Sequence, residues 1–308
     1  MITTVTLSPC IDKTVLLADF DAGKVNRAES TRLDVGGKGI NVSLALAALG
    51  VPSRAIGLNF ESGERVEDTL KAAGVQTDFI RCRGQLRTNT KIYVKKTGNT
   101  IEINEQNPEV HDKAVAKVIE LCSRVAKDRE NSIFVFSGSI PPGVPEDIYL
   151  RLANAVKDAN PSAKIILDTV GKPLLEGMKS APCLIKPNVE ELEKTFNTSL
   201  LTDEETVLLC REMIKRHGIG AVLVSNGQKG ATAVTELETI SSPAIKITPK
   251  SAQGAGDAMV AGACYALSKD LPIADVLRYG LAAAAGAVEL EGTAFCGRER
   301  FEELLAER

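Results

Sequence analysis

A glycine-rich run that ends in a carboxylate is the segment best suited to chemistry. It reads Ser-Ala-Gln-Gly-Ala-Gly-Asp over residues 251–257, and the residues that follow have the pattern of a helix. Glycines let the chain turn sharply, so free backbone N–H groups gather at the helix N-terminus, where the helix dipole favours an anion. The start of this helix is therefore expected to form an anion site that Asp257, in its first turn, also faces. Taken alone, the run equally fits an ordinary helix start with a dipole-compensating aspartate.

A second glycine cluster, residues 36–42, is expected to open another helix that runs to about Leu49. Its glycines, Gly37 among them, permit close approach of a ligand, while Lys38 supplies a charge and Asn41 faces back from the first turn. The cluster is neither a Walker loop nor a Gly-x-Gly-x-x-Gly dinucleotide fingerprint, which argues against a nicotinamide-dependent oxidoreductase. A plain turn before a helix is about as compatible with it.

A third candidate is Asp12, which ends the run Ser-Pro-Cys-Ile-Asp after the first apolar stretch of the chain. Ligands of open α/β sheets bind beyond the carboxyl ends of the strands, so Asp12 is placed to accept hydrogen bonds from sugar hydroxyls. A turn aspartate after a proline is the structural alternative.

These candidates lie in a chain in which short β-branched runs alternate with amphipathic helical patterns. Such alternation predicts right-handed βαβ units and an α/β fold, with a mainly parallel sheet covered by helices on both faces. Thr202 and Glu205 read as a capping box at the start of one helix. The expected strands are residues 2–7, 132–136, 164–168, 184–186 and 221–225, and two expected helices are residues 147–157 and 204–215.

Two segments interrupt this alternation. Residues 15–32 lack a helical period, and residues 90–104 read as two extended runs about a Thr-Gly-Asn turn. Gly-Asn turns favour hairpins, so both segments are expected to pair as a small β-sheet lid over the mouth of the main sheet. No Pro- or Ser-rich linker separates them from the rest. Residues 1–308 are therefore interpreted as one domain with lid excursions near 12–34 and 87–106.

Composition excludes several classes of function. The formal net charge of −3 is spread over 308 residues without a basic stripe, so nucleic-acid binding is not expected. The longest weakly polar stretch, residues 279–288, is too short to cross a bilayer. The N-terminus lacks the features of a signal peptide, and seven cysteines without metal or redox spacing are interpreted as reduced thiols. A cytoplasmic protein without a membrane partner is expected.

In sequence order, these segments resemble the phosphofructokinase B group of ribokinase-like carbohydrate kinases. The resemblance covers nearly the whole chain and rests on several short motifs, each weak by itself. They are residues 7–12, 36–41, 87–89, 137–143, 186–191, 225–227 and 254–257.

The resemblance implies a single ribokinase-like domain, doubly wound, with a β-sheet lid through which two copies form a homodimer. It implies Asp257 as the catalytic base, and Gly254, Ala255 and Gly256 as the anion hole for the transferred phosphate. The residues implied to bind the sugar phosphate are Asp12, Gly37, Lys38, Asn41, Arg87 and Ser137.

The resemblance also assigns ATP and its metal. The Asn-x-x-Glu motif falls on Asn188 and Glu191, which are implicated in organising Mg²⁺ through water. Ala252 and Gln253 stand where many relatives carry Thr-Val, which leaves the nucleotide contacts and any monovalent-cation site open; Asn226 replaces a commonly apolar residue. The residues implied to contact the nucleotide are Lys186, Asn188, Ser225, Gly227, Gly254 and Gly256.

The implied reaction is phosphoryl transfer from ATP to a sugar hydroxyl. Lys38 and Arg87 suit a phosphate already present on the sugar, whereas Lys24 and Arg27 equally fit a solvated surface. Residues 23–27, 100–105 and 141–145 look most like kinases of fructose 1-phosphate, which make fructose 1,6-bisphosphate; kinases of tagatose 6-phosphate are the second interpretation. The alternative of another class is a non-catalytic sugar-phosphate-binding protein, which would need no base at Asp257.

Overall fold

A computed structural model describes residues 1–127 and 132–307, which form two β-sheets flanked by helices. The strands in chain order are β1 (Ile2–Thr6), β2 (Cys10–Leu17), β3 (Ser30–Gly36), β4 (Ser53–Asn59), β5 (Gln76–Arg81), β6 (Thr88–Val94), β7 (Asn99–Asn104), β8 (Ile133–Ser137), β9 (Lys164–Asp168), β10 (Leu184–Ile185), β11 (Ala221–Ser225), β12 (Ala231–Val234) and β13 (Thr239–Ser242).

The nine-stranded main sheet has the order β13-β12-β11-β10-β9-β8-β1-β4-β5. Strands β11 to β5 in this order are parallel, and β12 and β13 are antiparallel. Strands β1 and β8 are buried along their whole length, as expected for parallel strands covered on both faces. The chain winds from β1 to one side and later from β8 to the other. Ligands of doubly wound sheets bind at this switch point, beyond the carboxyl ends of the strands.

Helices cover both faces of the main sheet. The two helices that contain Gly262 and Tyr279 are rich in alanine and glycine and pack closely against each other. Glycine allows this approach, since a β-carbon on Gly262 would lie 2.3 Å from the carbonyl oxygen of Tyr279. The helices are α1 (Lys38–Ala48), α2 (Glu64–Ala72), α3 (Asp112–Lys127), α4 (Ile148–Ala159), α5 (Lys172–Met178), α6 (Val189–Phe196), α7 (Asp203–His217), α8 (Ala255–Ser268), α9 (Ile273–Val288) and α10 (Arg298–Ala306). No helix in the described part of the chain is long and apolar enough to span a membrane.

The second sheet is the lid, with the order β3-β2-β6-β7. Strand β2 pairs antiparallel with β3 and parallel with β6, and β6 forms a hairpin with β7. The register pairs Asp12 with both Asp34 and Asn89, so these three residues share one face of the lid.

The predicted α/β fold with a lid is confirmed, and the predicted elements differ from the observed ones mainly at their ends. The expected helix 147–157 is α4, and the expected helix 204–215 is α7. Asp12 lies inside β2, two residues past its start, and so belongs to the lid itself. Four strands of the main sheet, β4, β5, β12 and β13, were not predicted.

Candidate active site

The amino ends of two helices meet at the switch point of the main sheet. Helix α1 begins at Lys38 after Gly37, whose φ of 122° is a conformation that favours glycine. In the first turn of α1, Asn41 donates from Nδ2 to Oδ2 of Asp257 in the first turn of α8, at 2.8 Å. Both side chains are buried. The hydrogen bond therefore fixes the carboxylate of Asp257 against the first turn of α1.

Burial and neighbouring charges perturb the acidity of Asp257. Its pKa is raised from an ordinary 3.8 to about 7; burial is the largest cause, and the negative charge of Asp168 adds to it. Lys38, the hydrogen bond from Asn41 and Lys186 act in the opposite direction. A buried carboxylate whose pKa lies near neutrality has the acidity that a general base needs.

The N-terminus of α8 is open to a ligand. Gly254 precedes it with φ 73°, and no side chain in the described residues caps it. Among its first N–H groups, that of Ala255 reaches only the carbonyl of Ala252, at 3.4 Å. The Nζ of Lys186 lies 3.6 Å from the place that a β-carbon on Gly256 would take. The free N–H groups, the helix dipole and this ammonium together suit a phosphate anion.

Asp168 belongs to none of the sequence motifs, yet its carboxylate joins two of the predicted lysines. It ends β9 and is 1% exposed, and its Oδ1 lies 3.1 Å from Nζ of Lys38 and 3.4 Å from Nζ of Lys186. Burial would raise its pKa, but Lys186 and Lys38 hold the pKa of Asp168 below its ordinary value. Its position at the carboxyl end of a buried strand is the signal that could have found it.

Lys38 is held by carboxylates on two sides. Besides Asp168, it contacts Oε1 of Glu191 at 3.1 Å. Burial would lower the pKa of Lys38, but Asp168, Glu191 and Asp257 raise it above its usual range, so the ammonium stays charged. This placement groups Lys38 with residues predicted to serve the nucleotide and its metal, whereas the sequence suggested a contact with the sugar phosphate.

The predicted metal motif forms the N-terminus of α6. Oδ1 of Asn188 accepts from the N–H of Glu191 at 2.6 Å, and Oε2 of Glu191 accepts from the N–H of Asn188 at 2.9 Å, which is a capping box. A parallel β-bridge joins Asn188 to Ser225 at the end of β11. Gly227 follows in an exposed 3₁₀ turn. The segments predicted to contact the nucleotide are therefore neighbours.

The lid places Asp12 opposite the glycine cluster. Oδ1 of Asp12 accepts from Nδ2 of Asn89 at 3.0 Å, and a β-carbon on Gly36 would lie 2.5 Å from Oδ2 of Asp12. Nδ2 of Asn89 also lies 3.2 Å from the thiol of Cys10. Burial, followed by the charge of Asp12, raises the pKa of Cys10 to about 12, so its thiol stays protonated. The sequence motifs gave no role to Asn89, whose Oδ1 is buried and has no partner within residues 1–127 and 132–307.

Arg87 is a cation without a carboxylate partner in the described part of the chain. It directly precedes β6, and its Nη1 and Nη2 reach only the backbone carbonyls of Glu105 and Ser8, both at 3.4 Å. Its Nε is buried and has no acceptor among the residues that the structure describes. Lys24, by contrast, pairs with Asp21 at 2.5 Å and is 75% exposed. The structure thus leaves Arg87 available for an anion and Lys24 on the surface.

Ser137 ends β8, directly beside the end of β1 in the register of the sheet. The residue is 1% exposed, and its Oγ has no hydrogen-bond partner among the described residues. Gly138 follows with φ 96° and turns the chain away. An unpartnered buried hydroxyl at the switch point is consistent with a ligand contact.

The lid also touches the loop beyond α9. A β-carbon on Gly292 would overlap the guanidinium of Arg32 in β3, so the two segments are in direct contact. In the same loop, Phe295 packs against Gly254, with its ring 3.3 Å from the place of a β-carbon there. Lid, loop and the open end of α8 therefore adjoin one another.

Comparison with known proteins identifies the family. The chain is 34% identical over 286 residues to the 1-phosphofructokinase of Borreliella burgdorferi, over 92% of this chain and 90% of that protein. It is 35% identical over 282 residues to the 1-phosphofructokinase of Bacillus subtilis, over 91% and 90%. Phosphofructokinase-2 of Escherichia coli, solved in complex with potassium, superposes with a TM-score of 0.92 at 25% identity, over 99% of this chain and 98% of that one. The profile of the pfkB family carbohydrate kinases matches residues 5–300, and the chain belongs to that family.

Proposed function

We propose that the chain transfers the γ-phosphate of ATP to a hydroxyl of fructose 1-phosphate and so makes fructose 1,6-bisphosphate. The observation that carries this proposal is Asp257, a buried carboxylate with a pKa of about 7 at the open N-terminus of α8. The names of the two 1-phosphofructokinase relatives support the choice of sugar. A protein that only binds a sugar phosphate would have no use for such a base. We assign this activity to a single domain that spans residues 1–308.

The proposed reaction needs alignment and charge neutralisation more than covalent chemistry. Asp257, held by Asn41, accepts the proton of the attacking hydroxyl while that oxygen bonds to the γ-phosphorus. The bond from the γ-phosphorus to the bridging oxygen breaks, and ADP leaves. The N–H groups at Gly254, Ala255 and Gly256 stabilise the charge on the transferred group.

The residues around Lys38 suit Mg²⁺ held mainly by the nucleotide. No group of three His, Cys, Asp or Glu in the described residues could hold a metal, but Mg²⁺ commonly uses one or two carboxylates together with phosphates and water. Glu191 and Asn188 are proposed to hold the ion through water. Asp168 offers Oδ2, a buried acceptor that has no partner in the described part of the chain. Bound there, Mg²⁺ would neutralise phosphate charge.

Arg87 is proposed to bind the phosphate already on the sugar. It is partly buried, lacks a carboxylate partner in the described residues, and lies at the start of the lid. Asp12, Gly37 and Ser137 are proposed to contact the sugar. Because the lid adjoins both ligand sites, its closure would keep water away from the reacting phosphate.

The lid is also proposed to join two copies of the chain. The face opposite Asp12 is mainly apolar, and two of its residues, Leu33 and Ile103, are 42% and 55% exposed. Its polar residues include Lys13, Thr31 and Thr90. The register of the four strands places Val15, Leu33, Ile92, Ile101 and Ile103 on this face. Because the enzyme uses ATP, we place it in the cytoplasm.

A substrate panel tests the function. The purified chain is assayed for ADP release with Mg²⁺-ATP and, in turn, fructose 1-phosphate, fructose 6-phosphate, tagatose 6-phosphate and fructose. The highest kcat/KM is expected for fructose 1-phosphate, and fructose should be a poor substrate. If another ketohexose phosphate gives a higher kcat/KM, that compound is the substrate instead of fructose 1-phosphate. If none of these sugars gives an ATP-dependent product, the proposed function is refuted.

A further inference from the structure

Ser8, two residues beyond the carboxyl end of β1, has a hydroxyl whose lone pairs are both occupied. Its Oγ accepts from Nδ2 of Asn107 at 2.6 Å and from Oγ of Ser139 at 3.2 Å. A serine hydroxyl has two acceptor lone pairs and one hydrogen. Ser8 can therefore act only as a donor, and its hydrogen has no acceptor among the described residues.

This hydroxyl lies beside the cation proposed to bind phosphate. The carbonyl oxygen of Ser8 accepts from Nη2 of Arg87 at 3.4 Å, which ties the guanidinium to the same residue. Ser8 and Asn107 are 5% and 7% exposed, whereas Ser139 is exposed. The cluster thus reaches from the interior to the surface, at the edge of the sheet where ligands bind.

The polarity of the cluster indicates what it would bind. Arg87 and the hydroxyl of Ser8 are both donors, and no carboxylate in the described residues pairs with Arg87. A sugar hydroxyl can donate as well as accept, so it has no special fit to two donors. A phosphate dianion has only acceptors and forms strong charge-assisted hydrogen bonds.

We propose that Ser8 donates a hydrogen bond to the phosphate carried by the sugar substrate, and that Asn107 and Ser139 position its hydroxyl. The inference rests on the proposed function and adds a contact to it. Asn107 acts through Ser8: its amide occupies a lone pair of Oγ and so turns the hydrogen away from the protein. Replacement by aspartate, of equal size, would instead accept that hydrogen and add a negative charge.

The first test compares the steady-state kinetics of single variants. Ser8→Ala is expected to raise the KM for fructose 1-phosphate about tenfold, as for a lost hydrogen bond to a charged group. The KM for ATP should change less than twofold. Asn107→Ala should raise the sugar-phosphate KM severalfold, and Asn107→Asp should raise it more than Asn107→Ala does.

Asn160 provides a matched control for loss of a buried asparagine. It is 8% exposed, and its Nδ2 donates to Oγ of Ser132, which precedes β8 at the opposite end of the sheet. Asn160→Ala should lower the melting temperature while leaving the KM for fructose 1-phosphate unchanged. Equal KM changes for Asn160→Ala and Asn107→Ala would overturn the inference.

A double-mutant cycle tests whether Asn107 works through Ser8. The double variant Ser8→Ala with Asn107→Ala should have the KM of Ser8→Ala alone, because the positioned hydroxyl is already gone. Calorimetric titration with fructose 1-phosphate in the absence of nucleotide should give the same pattern of Kd values. Multiplicative losses in the double variant, or an unchanged KM and Kd in Ser8→Ala, would overturn the inference. Either contradicting result would be measured on an enzyme that still phosphorylates fructose 1-phosphate, so it would leave the proposed function intact. A wild-type protein without this activity would overturn both the inference and the proposed function.

Discussion

The side chain of Asp257 is buried, accepts a hydrogen bond from Asn41 and lies in the first turn of helix α8. Asp257→Asn is expected to lower kcat by about 10²–10⁴-fold, the usual contribution of a general base, with little change in the Kd for the sugar phosphate. Asp275→Asn is the matched control, since Asp275 also lies in the first turn of a helix, α9. Stopped-flow or coupled assays of both folded variants measure kcat, which should fall in Asp257→Asn and stay near the wild-type value in Asp275→Asn. Near-wild-type kcat in Asp257→Asn would remove Asp257 from the base role.

The raised pKa of Asp257 predicts how activity depends on pH. A base must be deprotonated, so kcat/KM should fall tenfold per pH unit below a midpoint near 7, the pKa in the free enzyme. A profile that stays flat down to pH 5 would contradict the assignment.

The same pKa shift predicts an effect on stability with the opposite pH dependence. Between 3.8 and about 7 the folded state binds more protons at Asp257 than the unfolded state, so this carboxyl contributes less stability as pH rises through that window. Asp257→Asn lacks this loss. Its melting temperature relative to the wild type should therefore be higher at pH 8 than at pH 5. A reversed difference would show that folding stabilises the carboxylate, and a constant difference would show that the pKa of Asp257 is not shifted.

Substitution of Arg87 tests whether this residue binds the phosphate already present on the sugar substrate. Arg87→Ala should raise the KM for fructose 1-phosphate at least tenfold, because a hydrogen bond to a charged group contributes roughly 1.5–3 kcal/mol. Arg87→Lys should restore only part, since lysine lacks the bidentate fork. Arg65 is a matched control because it too donates to a backbone carbonyl, that of Leu33. If Arg87→Ala lowers kcat/KM equally for fructose and fructose 1-phosphate, Arg87 acts on the lid or on the γ-phosphate instead.

At the residue scale, sequence reasoning reached the side chains that stand in recognisable runs. Asp257 and Asn41 follow glycines, whose turn before a helix is readable from composition, and the structure joins them by a hydrogen bond. Asp168 and Asn107 stand alone in sequence, so their importance comes only from contacts with residues far along the chain, such as Lys38. Local patterns cannot predict such contacts.

At the scale of elements, two helices of this chain begin with the same capping box. Asn188 and Glu191 start α6 at the site, and Thr202 and Glu205 start α7. Glu191→Gln is expected to raise the Mg²⁺ concentration for half-maximal turnover about 10–100-fold, as for loss of a residue that orients metal-bound water. Glu205→Gln disturbs an equivalent cap and should leave the Mg²⁺ dependence unchanged. Equal Mg²⁺ dependence in the two variants would reduce Glu191 to a helix cap.

Elements with a strong period were predictable, and the strands at the two ends of the main sheet were not. Helix α7 shows both an amphipathic pattern and its cap in the sequence, and β8 is an uninterrupted apolar run. Strands β12 and β13 have four residues each, too few to establish a period. Strand β13 forms the edge of the sheet and alternates exposed and half-buried residues, which weakens its pattern further. Pairing partners decide such strands, and partners are a property of the tertiary fold.

At the scale of the whole molecule, the switch point between β1 and β8 explains why distant motifs form one site. Winding in both directions from this point brings the ends of β1, β8 and β9 next to one another. Ser137 and Asp168 are the last residues of β8 and β9, and Ser8 lies two residues beyond β1. The lid extends the same site, since β2 leaves β1 after only three residues. Sequence alternation predicted the layers, but the strand order that creates the crevice came from the fold.

The lid's outer face predicts the assembly of the whole molecule. An exposed apolar sheet face is stabilised when a second copy covers it, so the chain should sediment as a dimer at micromolar concentration. Lysine at both Leu33 and Ile103 should shift it to the monomer, because burying two ammonium groups at an interface is costly. Leu237→Lys is the control: Leu237 is 93% exposed in the turn between β12 and β13 of the main sheet, outside the lid, and its replacement should leave the dimer intact. Sedimentation of all three proteins, alongside their kcat, measures both assembly and its effect on activity. A monomeric wild type, or a double-lysine variant that remains a dimer, would move the interface elsewhere.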